Sequence, residues 1–370
     1  MPTFDVLMPM LNAAKFLGEA VESIQNQTFS DWRLIILDHG SRDGSTDLAH
    51  RYAESDNRIK VFSFPNADGL AELLNRGLDK CDCKLVFRQD ADDIALPNRM
   101  AIINDLFDDN REYLAIGGHV FHIDEAGHSI GYQELPISPA AVTAASFFHN
   151  PFAHSAMSIN LEGLRRHGAK YGADILNLLP PAQSLAVKRH AEDYFLFGQL
   201  ALLGPCTNAN APLIKCRRHG GSVGAQNAGK QMETALQIAR FLAKSFCAMK
   251  RVPTFDPGPL CNHADHIFDL QSKDYTTEFL QMAVALRRGL GSSAELEREL
   301  AFRWVLATRN SAVMAARFLR FNWNYGAMPN ETRSVRNWLL RGIRKGRYVY
   351  RVDRGPVAST NSNTPFGQFE

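Results

Sequence analysis

The sequence predicts an α/β fold, a mainly parallel sheet flanked by helices, followed by a helical C-terminal extension. Three observations carry that expectation. Over the first third of the 370 residues, short runs rich in Val, Ile, Leu and Phe alternate with longer segments whose apolar residues recur every three to four positions. That alternation gives βαβ units, whose crossover helices cover both faces of a parallel sheet. Beyond Lys230 the strand-like runs vanish and helical periodicity dominates.

In chain order, strands are expected at Phe4–Met8, Trp32–Leu37, Ile59–Phe64 and Lys84–Phe87, and helices over Ala13–Gln25, Ser45–Glu54, Leu70–Lys80 and Pro97–Leu106. A further strand over Tyr113–Ile123 contains Gly117 and Gly118, and paired glycines in a strand suggest a bulge or the close approach of another backbone. Between Pro136 and Gly224 periodicity weakens and polar groups concentrate, which suits a substrate-binding half. Helices follow at Met232–Met249, at Thr277–Arg288 and after Ser292-Ser293-Ala294-Glu295, a capping-box signature. Val252–Pro259, with three prolines and a glycine, reads as a linker.

Length alone suggests two domains. Apolar content of 45% and charged content of 22% are those of a soluble globular protein. No apolar run approaches the roughly 20 residues that span a bilayer, and Met1-Pro2-Thr3-Phe4-Asp5 lacks the order of a signal peptide, so the expected compartment is the cytoplasm. Six thinly spread cysteines, of which only Cys81 and Cys83 are close, argue against zinc and for reduced thiols. The net charge of +2 hides an asymmetry: seven basic residues and no acid lie between Arg333 and Arg351, leaving 34 basic against 39 acidic elsewhere. Attraction to anionic partners is therefore local to the tail, and no nucleic-acid partner is expected. On a helix those seven basic residues face largely one way, and Val335, Trp338, Leu339, Ile343, Val349 and Tyr350 the other, a pattern suited to an anionic membrane surface or to packing on the acidic remainder of the protein.

Chemistry is expected first at Asp90, Asp92 and Asp93, directly after the apolar run Leu85-Val86-Phe87. Ligands bind beyond the strand C-termini of open α/β sheets, and carboxylates crowded there repel one another unless a cation or polar ligand compensates them. Hard oxygen donors favour Mg²⁺ or Mn²⁺, with a diphosphate completing the coordination. With nothing bound, the same residues are an acidic turn capping the next helix. Asp38 ends the second strand before His39-Gly40-Ser41, where it could accept from ribose hydroxyls or a base N–H; an ordinary turn leading to Ser45 or Thr46 as helix cap uses the same residues. No Gly-x-Gly-x-x-Gly turn is present, which disfavours a dinucleotide site. Glu192-Asp193 suits either a catalytic acid pair or the N-terminus of a helix. His119, His122 and His167 have no metal-ligand spacing.

Taken together, Pro9 and Asn12, Ser23 and Gln27, Asp38 to Ser45, Asn66 to Gly69 with Leu74 to Leu78, and Arg88 to Arg99 stand in the order and spacing of family 2 glycosyltransferases of the GT-A fold. Asn150 to His154, Ala191 to Tyr194 and Arg217 to Ser222 resemble the same family's acceptor half, so the resemblance covers about residues 3–224. It implies a glycosyltransferase domain over 1–229, with a nucleotide-binding half (1–110) and an acceptor half (111–229), ahead of a helical region (230–370) with the basic amphipathic tail. It implies that Pro9, Asn12, Asp38, His39, Gly40, Ser41, Gly69, Asn75, Arg88 and Asp90 bind a nucleotide diphosphate sugar, with UDP as the first expectation. Asp92 would hold a divalent metal, Mn²⁺ or Mg²⁺, with His219 beside it, and Asp193 would act as general base next to Glu192. A glycan or glycolipid of the cell envelope is the implied acceptor. His39 departs from the family, which commonly has an acid there, so an obligate acceptor is replaced by a group that can also donate; Cys216 replaces a frequent tyrosine. A nucleotidyltransferase would want a glycine- and lysine-rich loop after the first strand, and Pro9-Met10-Leu11-Asn12-Ala13 offers none. A non-catalytic sugar-binding protein would be favoured if Asp92 or Asp193 were missing, and both are present.

Overall fold

In the computed structural model, residues 3–220, 228–262, 274–308 and 310–343 are described. Four strands, β1 (Phe4–Met10), β2 (Trp32–Asp38), β3 (Ile59–Ser63) and β4 (Leu85–Arg88), pair in parallel in the order β3-β2-β1-β4. β2 and β4 run one residue past their apolar runs, so they end on Asp38 and Arg88. The crossovers are α1 (Leu17–Gln25), α2 (Ser45–Ser55) and α3 (Gly69–Leu78), with α4 (Arg99–Asp109) after β4. On α1, Leu17, Ala20, Val21 and Ile24 recur at helical spacing and are buried with Val6, Met8, Leu34 and Ile36 of the sheet.

α1 starts four residues later than its periodicity predicts, because side chains from the β2–α2 turn claim the backbone before it. Ser45 Oγ accepts from Ala13 N at 2.7 Å and Asp43 Oδ2 from Ala14 N at 2.9 Å. For the same reason neither Ser45 nor Thr46 is the cap of α2. That helix opens after Gly44 at φ 90°, and Asp43 Oδ1 accepts from Ser45 N at 3.0 Å. Ser23 and Gln27 prove to be braces: Ser23 Oγ accepts from Ala95 N, while the Gln27 amide donates to Leu96 O and accepts from Met100 N, holding the chain that follows the acidic cluster.

Beyond β4 the sheet mixes directions. β8 (Ser158–Asn160) lies antiparallel between β4 and β6 (Ala115–Ile123), β6 runs parallel to β9 (Cys206–Arg217), and β9 pairs antiparallel with the two-residue β5 (Ile94–Ala95). β7 (Ser129–Gln133) hangs from β6 as a hairpin. Gly117 and Gly118 do both things expected of paired glycines: the β6–β9 register shifts after Gly118, and a Cβ at either would overlap Asn208 or Leu213 of β9. Replacing Gly117 with Ala should cost about 1–3 kcal/mol by overpacking, read as a lowered urea midpoint at unchanged slope; an unchanged midpoint would show that Asn208 can move aside.

Around this half lie α5 (Pro139–Ala145), α6 (Leu161–Arg166) and α7 (Glu192–Leu203), followed by α8 (Ala228–Lys250), α9 (Thr276–Leu290), α10 (Ala294–Ala307), α11 (Ser311–Tyr325) and α12 (Pro329–Ile343). Ser293 caps α10 as its signature predicts, accepting from Leu296 N at 3.1 Å. One core joins Phe147, Phe148, Tyr194 and Phe195 to Ile238, Leu242, Phe246 and Phe302, so the helical region is welded to α7 by apolar packing. Two expectations are corrected here. Within 252–259, read as a linker, the chain ends in a short turn, Gly258–Leu260, that is buried in this core, where Leu260 O accepts from Arg303. Val335 and Trp338, assigned to a membrane-facing stripe, are buried in the same core, because helix packing already covers that side of α12. Residues 344–351 of the basic stretch lie outside the described residues. No helix among the described residues is long and apolar enough to cross a membrane.

Candidate active site

A cavity of about 650 Å³ opens beyond the C-terminal end of β4 and the N-terminal end of α7. Asp90, Asp92, Asp93, Glu192 and Asp193 all line it, so two clusters a hundred residues apart in sequence become one site. Buried cations support the first cluster from behind. Arg88 donates to Asp90 Oδ1 at 2.6 Å and to Gln89 O, and Arg99 donates to Gln89 Oε1 and Arg88 O. Burial pushes Asp90 up, but the Arg88 guanidinium outweighs it and holds the carboxyl below its ordinary range. Asp93 goes the other way: burial, with the charges of Asp92 and Asp90 added, pushes it well up. Its Oδ1 accepts from Arg217 N at 2.7 Å, so Asp93 ties the acidic loop to the end of β9.

Asp92 points to a different partner. Its Oδ2 lies 2.9 Å from His219 Nε2, both groups being partly exposed. The hard carboxylate oxygen of Asp92 suits Mn²⁺ or Mg²⁺, and with the imidazole beside it the pair would supply at most two ligands, so a diphosphate would have to contribute the rest. Among the described residues the only three-ligand grouping compact enough for an ion is Asp5, Asp82 and Cys83 at the far end of β1. There Arg33 bonds both carboxylates at 2.7 Å and takes the place of a cation.

At the second cluster, His190 and Ala191 both adopt positive φ, 59° and 71°, immediately before α7. Such strain costs roughly 1–3 kcal/mol per residue and tends to persist where a site needs it. Here it delivers Glu192 and Asp193 to the cavity in different states. Asp193 is partly exposed, and Asn150 Nδ2 donates to its Oδ2 at 2.8 Å. Glu192 is buried, and burial followed by the charge of Asp193 pushes it up to about 8. His154, pushed down to about 4 by burial and then by Arg88, is neutral beside Tyr171.

The Glu192 shift has a testable sign. Between the ordinary value of 4.5 and about 8 the folded chain keeps a proton that the unfolded chain has lost, so this group's stabilisation is complete at low pH and falls as pH rises through that window. Glu192→Gln, which is permanently neutral, should therefore melt progressively higher relative to the parent as pH rises across the window. A difference in Tm independent of pH would show that Glu192 is ionised throughout.

Of the ten expected donor residues, nine do not line this cavity. Asp38 is 3% exposed, and its two oxygens accept from Ser41 N and Thr46 Oγ1. His39 is 3% exposed, and its Nε2 lies 2.8 Å from Ala67 O, which fixes that nitrogen as a donor to the backbone. Asn75 spends both ends of its amide on the backbone of Tyr171. These three side chains bond neighbouring groups of the fold. Pro9 is buried in β1, Gly69 (φ 83°) packs against the Arg189 side chain, and Asn12, Gly40 and Ser41 form a partly exposed turn in which Ser41 Oγ accepts from Asn12 N. Arg88 and His219 join the site only through Asp90 and Asp92. Asn150 and Arg217 have no expected role of their own, and only their place in polar blocks drew attention to them. Arg217 Nε donates to Asp92 O at 3.0 Å, and its Nη2 to Glu19.

A parallel sheet extended through an antiparallel strand, with acids at the strand ends and a second acid pair across the same cavity lining, is an architecture of GT-A type. S. aureus TarS 1–349, solved in complex with UDP-GlcNAc, shares this fold at a TM-score of 0.52 and 14% identity over 92% of each chain. Residues 5–166 match the model of Glycosyl transferase family 2. An uncharacterized glycosyltransferase of Haemophilus influenzae is 27% identical over 247 residues, 65% of this chain and 72% of that protein. The amylovoran biosynthesis glycosyltransferase AmsE of Erwinia amylovora is 26% identical over 243 residues, 64% of this chain and 84% of that protein.

Proposed function

We propose that this chain is a metal-dependent, inverting glycosyltransferase of the cytoplasm that moves a sugar from a nucleotide diphosphate sugar, a UDP-sugar first, to a hydroxyl of an envelope glycan or glycolipid. The observation that carries the reading is that Asp92, which His219 contacts from beside the cavity, and Asp193, held by Asn150, line one cavity. Asp92 and His219 would hold a divalent cation, whose charge offsets that developing on the leaving diphosphate. Asp193 accepts the proton of the acceptor hydroxyl while its oxygen bonds to the anomeric carbon and the bond to the diphosphate breaks. Neutral Glu192 is a hydrogen-bond donor in the wall and leaves Asp193 as the single base. The turn of Asn12, Gly40 and Ser41 is the proposed nucleoside edge, with Asp38 bracing it from beneath; it lies at the C-terminal ends of β1 and β2, where open α/β sheets bind ligands. The polysaccharide role named for AmsE supports a glycan acceptor.

Product NMR tests the mechanism. Inversion predicts a product whose anomeric configuration is opposite to the donor's. Retention would require a nucleophile in place of a base and would overturn the role given to Asp193.

A further inference from the structure

α11 and α12 form a helical hairpin closed at Gly326, where φ is 68°. The inner side of α11 is buried through Met314 and Phe321, and the apolar side of α12 through Val335 and Trp338. On the outer side of α11, Ala312, Ala316, Leu319 and Trp323 follow one another at helical spacing as a continuous exposed stripe. Leu319 is 70% and Trp323 88% exposed, the two most exposed large apolar side chains among the described residues. Isolated exposed leucines need no explanation, whereas a stripe ending in a bare tryptophan marks an interaction surface.

Charge identifies the partner. α11 contains no acid, and Arg320, Arg333 and Arg336 of the hairpin are exposed. Its one acid, Glu331, is buried and paired with Arg298 at 2.9 Å. We propose that the outer face of this hairpin docks on an anionic lipid surface, with Leu319 and Trp323 at the headgroup boundary and the arginines on lipid phosphates. A second copy is a poorer occupant, because a twofold contact sets this basic face against itself. Residues 344–370 carry five basic and two acidic side chains, so the chain's own C-terminus is repelled from the face and attracted to the same lipid. The membrane contact expected of the tail is thus moved to a face that packing leaves open, and it stands or falls independently of the transfer chemistry.

Co-sedimentation of the full chain with phosphatidylglycerol vesicles, and with phosphatidylcholine vesicles as the neutral control, tests the assignment. The parent should sediment with the first and stay in solution with the second. The double replacements Leu319→Ser with Trp323→Ser, and Arg333→Glu with Arg336→Glu, should each reduce the bound fraction on the order of tenfold at unchanged melting temperature. Iodide quenching of the Trp323 fluorescence should fall when phosphatidylglycerol vesicles are added. Parent protein that stays in the supernatant, or variants that sediment as the parent does, would overturn the proposal. So would a lipid-independent dimer in analytical ultracentrifugation that the Leu319 and Trp323 replacements dissociate.

Discussion

Asp92→Ala should abolish metal-dependent donor binding while leaving the fold intact. In the parent, a nucleotide sugar at about a hundredfold over its dissociation constant stabilises the folded chain by roughly 2.7 kcal/mol, and with Mn²⁺ present that shift should be plain in thermal melts against a panel of nucleotide sugars. Asp92 is the carboxylate of the cluster that faces His219, whereas Asp90 is neutralised by Arg88 and Asp93 is engaged by the Arg217 backbone. Its loss removes the acid of this cluster that faces the proposed cation. Two protein ligands make the ion's affinity depend on diphosphate, so nucleoside diphosphate should tighten Mn²⁺ binding to the parent and not to the variant. A variant that binds donor and Mn²⁺ as the parent does removes Asp92 from the site.

Asp193→Asn should do the opposite, keeping the donor-induced thermal shift and lowering turnover by about a hundredfold or more, the scale of losing a positioned base. Geometry makes this a clean substitution. The replacement amide can still accept the Asn150 Nδ2 hydrogen bond through its oxygen, so the side chain stays in place and only its basicity is lost. It also removes the negative charge beside Glu192, which should let the Glu192 carboxyl ionise at lower pH than in the parent. Unchanged turnover would exclude Asp193 from proton transfer.

Residue by residue, the sequence was most legible where the chemistry is local. Asp90, Asp92 and Asp93 could be placed at a strand end because an apolar run stops directly before them, and Gly117 and Gly118 announced a close approach because a strand tolerates paired glycines for few other reasons. Asp38, His39 and Asn75 were less legible, for the opposite reason. A polar residue at a strand end or on a helix can serve a ligand or satisfy backbone, and the choice depends on partners such as Thr46, Ala67 and Tyr171 that become neighbours only on folding. The amphipathic pattern of α12 was read correctly as a pattern, and of the two surfaces it suits, the protein's own core takes its apolar side.

The sequence by itself determined the order of the βαβ units, the acids at their C-terminal ends and the helical nature of the last third, because side-chain periodicity and strand termini are set by a few neighbouring residues. Only the tertiary structure decided that Asp193 shares a cavity with Asp92, that Asn150 holds it, and that burial beside Asp193 pushes the Glu192 carboxyl up. It also decided which helix face stays bare, since Val335 and Trp338 are covered and Leu319 and Trp323 are not. These outcomes follow from burial and from the pairing of groups distant in the chain, and neither is written in local pattern.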